Sequence, residues 1–351
     1  MNQAEPKKDA PQIGAVGGEA LMEGILMRGP SGAAVALRRA DGSIETSLKQ
    51  VASPADKHKW LGWPLVRGPV NFVWSMVFGY KCMMESAEKA TMGALQGEEG
   101  SQEETGSKLD QWLEAHMGPK MMGVVTAVST VLGLLIAVGL FAWAPTKLTQ
   151  WLVPERFNRF YALISGLMRI AIFVGYMASM SLLKDIRRVF QYHGAEHKSI
   201  FCYEAGLPLT VENVKVQSRL HPRCGTSFLF LMILLSIVLK SIVNVIWPGL
   251  TAVAWAQVAI GVLQFPLIMA LGYEFIRYAG RHLRNPLVRV ISAPGLALQH
   301  ITTKEPDEQI IEVGIAALQA ALGIRSEEAG SRNEDDDSPG DADGAGDAPA
   351  E

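Results

Sequence analysis

The sequence predicts an α-helical polytopic membrane protein: four transmembrane helices, an interfacial or re-entrant helix, and a small α+β cytoplasmic domain that includes an N-terminal β-hairpin. Three observations predict it. Of 351 residues, 49% are hydrophobic, and they gather into four runs of the roughly 20 apolar residues needed to cross a hydrocarbon core of about 30 Å. Alternating residues flank Asp41-Gly42, a strong short-range hairpin signal. Basic residues crowd some inter-helix segments and are sparse in others, as topology rules demand of a bilayer protein.

Residues 1–12 are polar, contain Lys7-Lys8 and lack the basic-then-apolar pattern of a cleaved signal, so they are expected to be disordered. Residues 13–59 form a cytoplasmic β-containing segment. Its first part carries five glycines and so argues against a helix. Here Glu19, Glu23 and Arg28 stand among apolar residues, which fits a packed loop or short strand with an ion pair, or a loop delivering a carboxylate to a site. The hairpin follows, over Ala34–Arg39 and Ile44–Leu48.

Residues 60–92 are apolar and aromatic but broken by Pro64, Gly68 and Pro69. The run from Val70 to Tyr80 is too short to span, which predicts an interfacial or re-entrant helix with Trp60, Trp63 and Trp74 at headgroup level. Residues 93–120 read as a linker. The spans are expected at Met121–Trp143, Tyr161–Leu183, Thr226–Trp247 and Leu250–Gly272, the last two closed by Trp247-Pro248-Gly249 into a tight hairpin. Arg169, Lys240 and Gln264 inside spans could mark a polar pathway, but Arg169 and Lys240 lie within a few turns of the outer surface, where snorkelling to the headgroups is the cheaper reading.

Orientation follows from the loops. Lys184, Arg187, Arg188, Lys198, Lys215, Arg219 and Arg223 lie between spans two and three, and Arg277, Arg281, Arg284 and Arg289 follow span four. Only Lys147, Arg156 and Arg159 lie between spans one and two. Both termini and the His-rich loop, residues 184–225, are therefore expected in the cytoplasm. The segment 273–325 includes an amphipathic helix over Asp307–Leu322 that caps the cytoplasmic domain. The tail from 326 contains Glu334-Asp335-Asp336-Asp337 and is too acidic to bury a core. The net charge of −3 hides this asymmetry. Three cysteines, Cys82, Cys202 and Cys224, make no even framework and are expected as reduced thiols.

The chemistry concentrates in Tyr192-His193-Gly194-Ala195-Glu196-His197-Lys198. His193 and His197, one turn apart on one helical face, can share a cation, and span two is expected to run on as a helix to carry them. Glu196 beside them is the candidate general base, or the group that orients a ligand. Two imidazoles need a third protein donor, and His221, Cys224 and Glu274 are the candidates on the same side of the bilayer. The expected cofactor is a divalent transition metal, with zinc the best match.

Several stretches together resemble the YqhQ-type bacterial membrane proteins: Gly17–Pro30, Tyr192–Lys198 with Cys202–Gly206, Thr210–Val214, His221–Ser227, Tyr273-Glu274 with Gly280-Arg281, and Pro294–Leu296 through Thr303–Pro306. The resemblance covers about residues 13–323. It implies a family of unknown function described as predicted metal-dependent enzymes. Glu19 departs from it, standing where the family is expected to carry Gln.

Two functions are therefore weighed. One is a metal-dependent hydrolase acting at the membrane surface on a lipid headgroup or a peptide. The other is a non-catalytic assembly or translocation factor that docks a membrane-protein partner and uses the His/Glu cluster as structural glue. Both need the lipid bilayer as a partner, and neither needs nucleic acid.

Overall fold

The computed structural model describes residues 16–51, 54, 58–97, 119–154, 160–247, 254–280, 282 and 285–324. It is mostly helical, with one small antiparallel sheet and four helices long and apolar enough to cross a membrane: Val128–Leu152, Leu163–Met180, Gly225–Ile246 and Val258–Ala279.

The sheet is a meander of four strands in chain order: β1 Gly17–Leu21, β2 Gly24–Gly29, β3 Gly32–Arg38 and β4 Ile44–Lys49. The expected hairpin is its β3–β4 half, closed at Asp41-Gly42 by Gly42 at φ +83° and by Asp41 Oδ1, which accepts the Ser43 backbone N–H at 2.8 Å. The glycine-rich segment before it is not a loop but the β1–β2 pair. Its two-residue turn places Glu23 at φ +52°, a conformation that costs a non-glycine residue energy. The carboxylate offsets that cost by accepting hydrogen bonds from Arg188 and, at 3.1 Å, from the Tyr192 hydroxyl.

Because β2 and β3 are covered on both faces, their apolar residues run continuously instead of alternating. Ile25, Met27, Ala34 and Ala36 pack on Tyr192, Ala195, Ile310, Val313 and Leu318, whereas Leu21, Leu26, Val35 and Leu37 pack on Cys82, Phe78 and Met83. The second layer belongs to α1, Arg67–Gly97, a single helix of 31 residues. This corrects the short interfacial element. Pro69 sits in the first turn, where no intrahelical N–H is required, so the apparent breaks at 64–69 precede or start the helix. Residues 93–97, read as linker, end it. Trp60 and Trp63 are exposed, and Trp74 stacks on Phe78 beneath the Arg28 guanidinium.

Helix α2, Pro119–Val138, passes through a π turn at Gly139–Trp143 into α3, Ala144–Leu152, so the first apolar run extends past its expected end at Trp143. Helix α4, Tyr161–Met180, stops there. A turn at Ser181–Leu183 separates it from α5, Lys184–Glu204, where one continuous helix was expected. The short α6, Val211–Lys215, precedes α7, Gly225–Ile246, and α8, Ala254–Ala279. Helix α8 meets α1 where Gly68 lies against Ala270 and Arg67 grips Glu274. Helices α9, Pro286–Thr302, and α10, Glu308–Leu322, follow. The expected amphipathic helix is α10, capped by Asp307 Oδ1 on the Ile310 N–H at 2.8 Å and by Gly323 at φ +74°. It packs on the sheet and on α5. The expected N-terminal tail, Arg156 and Arg159, the Trp-Pro-Gly turn beyond Trp247, Arg281, Arg284 and the acidic tail lie outside the described residues.

Candidate metal centre

Three elements build the site. Helix α5 supplies His193, Glu196 and His197. The turn at 219–224 supplies Cys224, immediately before α7. The end of α9 supplies backbone carbonyls. The turn is rigid because the buried Gln299 side chain clamps it: Oε1 accepts the His221 N–H at 2.7 Å, and Nε2 donates to the His221 carbonyl at 2.8 Å and to Ser227 Oγ at 2.7 Å. All four amide hydrogen-bonding sites need partners once buried, and here the clamp supplies most of them.

The two imidazoles are held alike. His193 Nδ1 lies 2.9 Å from the Thr302 carbonyl and His197 Nδ1 lies 2.6 Å from the Arg219 carbonyl. A carbonyl only accepts, so each Nδ1 carries a proton, and in the neutral ring each Nε2 holds the lone pair. Those lone pairs converge: one donor atom each from His193, His197 and Cys224 all lie within 4.8 Å of one another. His193 Nε2 is 3.1 Å from Cys224 Sγ, and His197 Nε2 is buried with no hydrogen-bond partner. A backbone carbonyl behind each imidazole is the arrangement that fixes metal-binding histidines.

The electrostatics suit a thiolate. Burial alone pushes the Cys224 thiol up, but the imidazoles of His193 and His197 beside it hold it well below the usual thiol range, and it stands at the N-terminus of α7. Burial lowers His193, but the charge and hydrogen bond of Cys224, the charge of Glu196 and the Thr302 carbonyl together outweigh it and raise the imidazole to about 9, so a bound cation would have to displace the Nε2 proton. Burial pushes the Glu196 carboxyl up, against the pull of His197 and His193. Glu196 Oε2 lies 3.9 Å from His193 Nε2, and its carboxylate accepts the Gly18 N–H of β1. Gly18 is required for this approach, because a Cβ there would come 2.9 Å from Glu196 Cγ and 2.7 Å from the Leu26 carbonyl. The N-terminal segment therefore brings a backbone donor to the site. The neighbouring Glu19 carboxylate instead pairs with Arg28 at 2.7 Å, although it remains close enough to Glu196 for their charges to interact.

The structure brings together His193, Glu196, His197 and Cys224, and not the other two candidates. His221 Nδ1 accepts the Arg223 N–H at 3.3 Å, so its proton is on Nε2, which faces Glu204 at 3.9 Å. Glu204 also pairs with Arg223. Glu274 accepts two hydrogen bonds from Arg67, at 2.7 and 2.6 Å, at the α1–α8 contact. Sequence reasoning missed Gly18, Gln299 and the carbonyls of Arg219 and Thr302. Gln299 lies within the stretch Pro294–Pro306 that carries the family resemblance, but no residue type signals a carbonyl's role.

Residues 63–324 match the family described as "Protein of unknown function (DUF1385)". The chain is 32% identical over 313 residues to "Uncharacterized protein YqhQ" of Bacillus subtilis (strain 168), covering 89% of this chain and 93% of that one. No solved structure matches. The chain belongs to the DUF1385, or YqhQ-type, family of proteins of unknown function.

Proposed function

We propose that this is a metal-dependent hydrolase of the bacterial inner membrane. In this reading His193, His197 and Cys224 hold a divalent transition metal, zinc by preference, on the cytoplasmic side. The observation that carries the reading is the pair of Nδ1-anchored imidazoles whose free Nε2 atoms meet a buried, acidified thiol. Two imidazoles and a thiolate suit zinc better than hard cations, which prefer oxygen donors. Three protein donors leave one position open, as catalytic rather than structural zinc sites do. The ion would supply Lewis acidity at that position. Glu196 would receive and return the proton, and the Gly18 N–H would orient its carboxylate. Four apolar helices support a membrane location, and the excess of basic residues in the 184–225 segment supports the cytoplasmic side. The substrate would then be a lipid headgroup or peptide bond presented at the membrane surface.

Metal analysis of the detergent-purified full chain tests this. About one equivalent of zinc per chain is expected. His197→Ala and Cys224→Ser should each lower it sharply, while Glu196→Gln keeps it. A well-folded, metal-free wild type that gains no thermal stability on adding zinc would overturn the proposal and favour a docking role for the domain.

A further inference from the structure

A second feature lies away from this centre, between α4 and α7. The helices are antiparallel and touch where Gly166 faces Ile237, so closely that a Cβ on Gly166 would come 2.5 Å from the Ile237 side chain. One turn away on α4 is Arg169, and one turn away on α7 is Lys240. Helical side chains lean toward their own N-terminus. Arg169 therefore leans toward Tyr161 and Lys240 toward Gly225, so the two reach toward the same level from opposite sides. They are near enough for Lys240 to feel the charge of Arg169.

Nothing described neutralises them. Within the four apolar spans the only acidic residue is Glu274, and Arg67 occupies its carboxylate. Arg169 Nε is buried and has no hydrogen-bond partner. By helical rise, Arg169 stands roughly 12 Å inside the Tyr161 end of α4 and Lys240 roughly 9 Å inside the Ile246 end of α7. In this antiparallel pair the Tyr161 end of α4 and the Ile246 end of α7 lie on the same face, so Arg169 leans toward that face while Lys240 leans away from it. Here they converge, which in a medium of low dielectric is favourable only if an anion joins them.

We propose that Arg169 and Lys240 form an anion-binding site for a phosphate group in the half of the helical bundle remote from α5. A guanidinium offers paired N–H donors that match phosphate oxygens, and the lysine adds a point charge. The phosphate could come from a phospholipid headgroup drawn against the helices or from inorganic phosphate entering from that face. The site is independent of the metal centre.

Native mass spectrometry on the full-length chain tests this, with phosphatidylglycerol and a diacylglycerol of the same chains as competing probes. The wild type should retain one phosphatidylglycerol in preference to diacylglycerol. Retention should fall roughly tenfold or more in Arg169→Gln and in Lys240→Gln, the effect of losing a charge-assisted hydrogen bond. Arg169→Lys should keep part of it. Displacement by millimolar inorganic phosphate would identify the free ion as ligand, and persistence would identify the lipid. Equal retention of both probes by the wild type, with no binding of inorganic phosphate, would overturn the proposal even if a variant failed to fold.

Discussion

Gly194 offers a sharp test of how the site is held. It sits between His193 and Ala195 on the face of α5 crossed by residues 303–306. A Cβ built there would lie 2.1 Å from the Lys304 carbonyl oxygen and 3.4 Å from Pro306. The obstacle is backbone, so no side chain can swing aside. Reaching an ordinary contact near 3.4 Å would require the carbonyl to retreat by about 1.3 Å. That movement would strain the Lys304 N–H bond to the Phe190 carbonyl, now 2.8 Å, and the Gln191 bond to the Glu305 carbonyl, now 3.2 Å. It would also pull on Thr302, whose carbonyl anchors His193. Overpacking of this kind costs about 1–3 kcal/mol. Loosening the group behind a metal-binding histidine typically costs roughly 10–100-fold in metal affinity. Gly194→Ala should therefore lower the midpoint of thermal unfolding and weaken zinc in a chelator competition, with Glu196→Gln as a comparison that keeps zinc. A variant as stable as wild type and equal to it in zinc affinity would refute the reasoning.

Other expected outcomes follow from the same contacts. Gln299→Ala strands the His221 N–H and carbonyl and should cost about 2–4 kcal/mol in chemical denaturation, and an unchanged denaturation midpoint would count against the clamp. Tyr192→Phe removes only the bond to Glu23 and should cost about 1 kcal/mol. The Glu45 and Glu85 carboxyls are held below their usual range, chiefly by hydrogen bonds from Lys89 and Lys49 respectively, tying β4 to α1. Depressed carboxyls add stability at neutral pH and lose it as pH falls through their lowered range, so acid titration of unfolding should flatten there in Lys89→Met. A Lys89→Met profile as steep as wild type would count against that linkage.

Much of this architecture was written in plain chemical signals. Apolar length marked four candidate spans, Asp41-Gly42 marked a hairpin, and the His193–His197 spacing marked one helical face. What stayed hidden were effects that only tertiary contact creates. The glycines of 17–32 read as a broken segment because a strand buried on both faces loses its alternation, and Gly18 and Gly24 are there for close approach. Helix α1 was underestimated because Pro69 looks like a breaker until its first-turn position is known. Among the three candidate donors, only the turn clamped by Gln299 decides that Cys224 faces the imidazoles while His221 faces Glu204.

The placement of the sheet has a consequence for how the protein is made. Its inner face is sealed by α10, whose first residue leaves the ribosome 270 positions after the last of β3, with every apolar span emerging in between. Closing so long a loop is slow relative to local folding. The amino-terminal strands must then wait, half-covered, while the chain between, with its four apolar helices, is made. The cluster of His193, His197 and Cys224, which borrows Gly18 from one end and Thr302 from near the other, comes together only when synthesis is nearly finished. A nascent or clipped chain would thus carry the histidines and the thiol without bringing them together with Gly18 and Thr302.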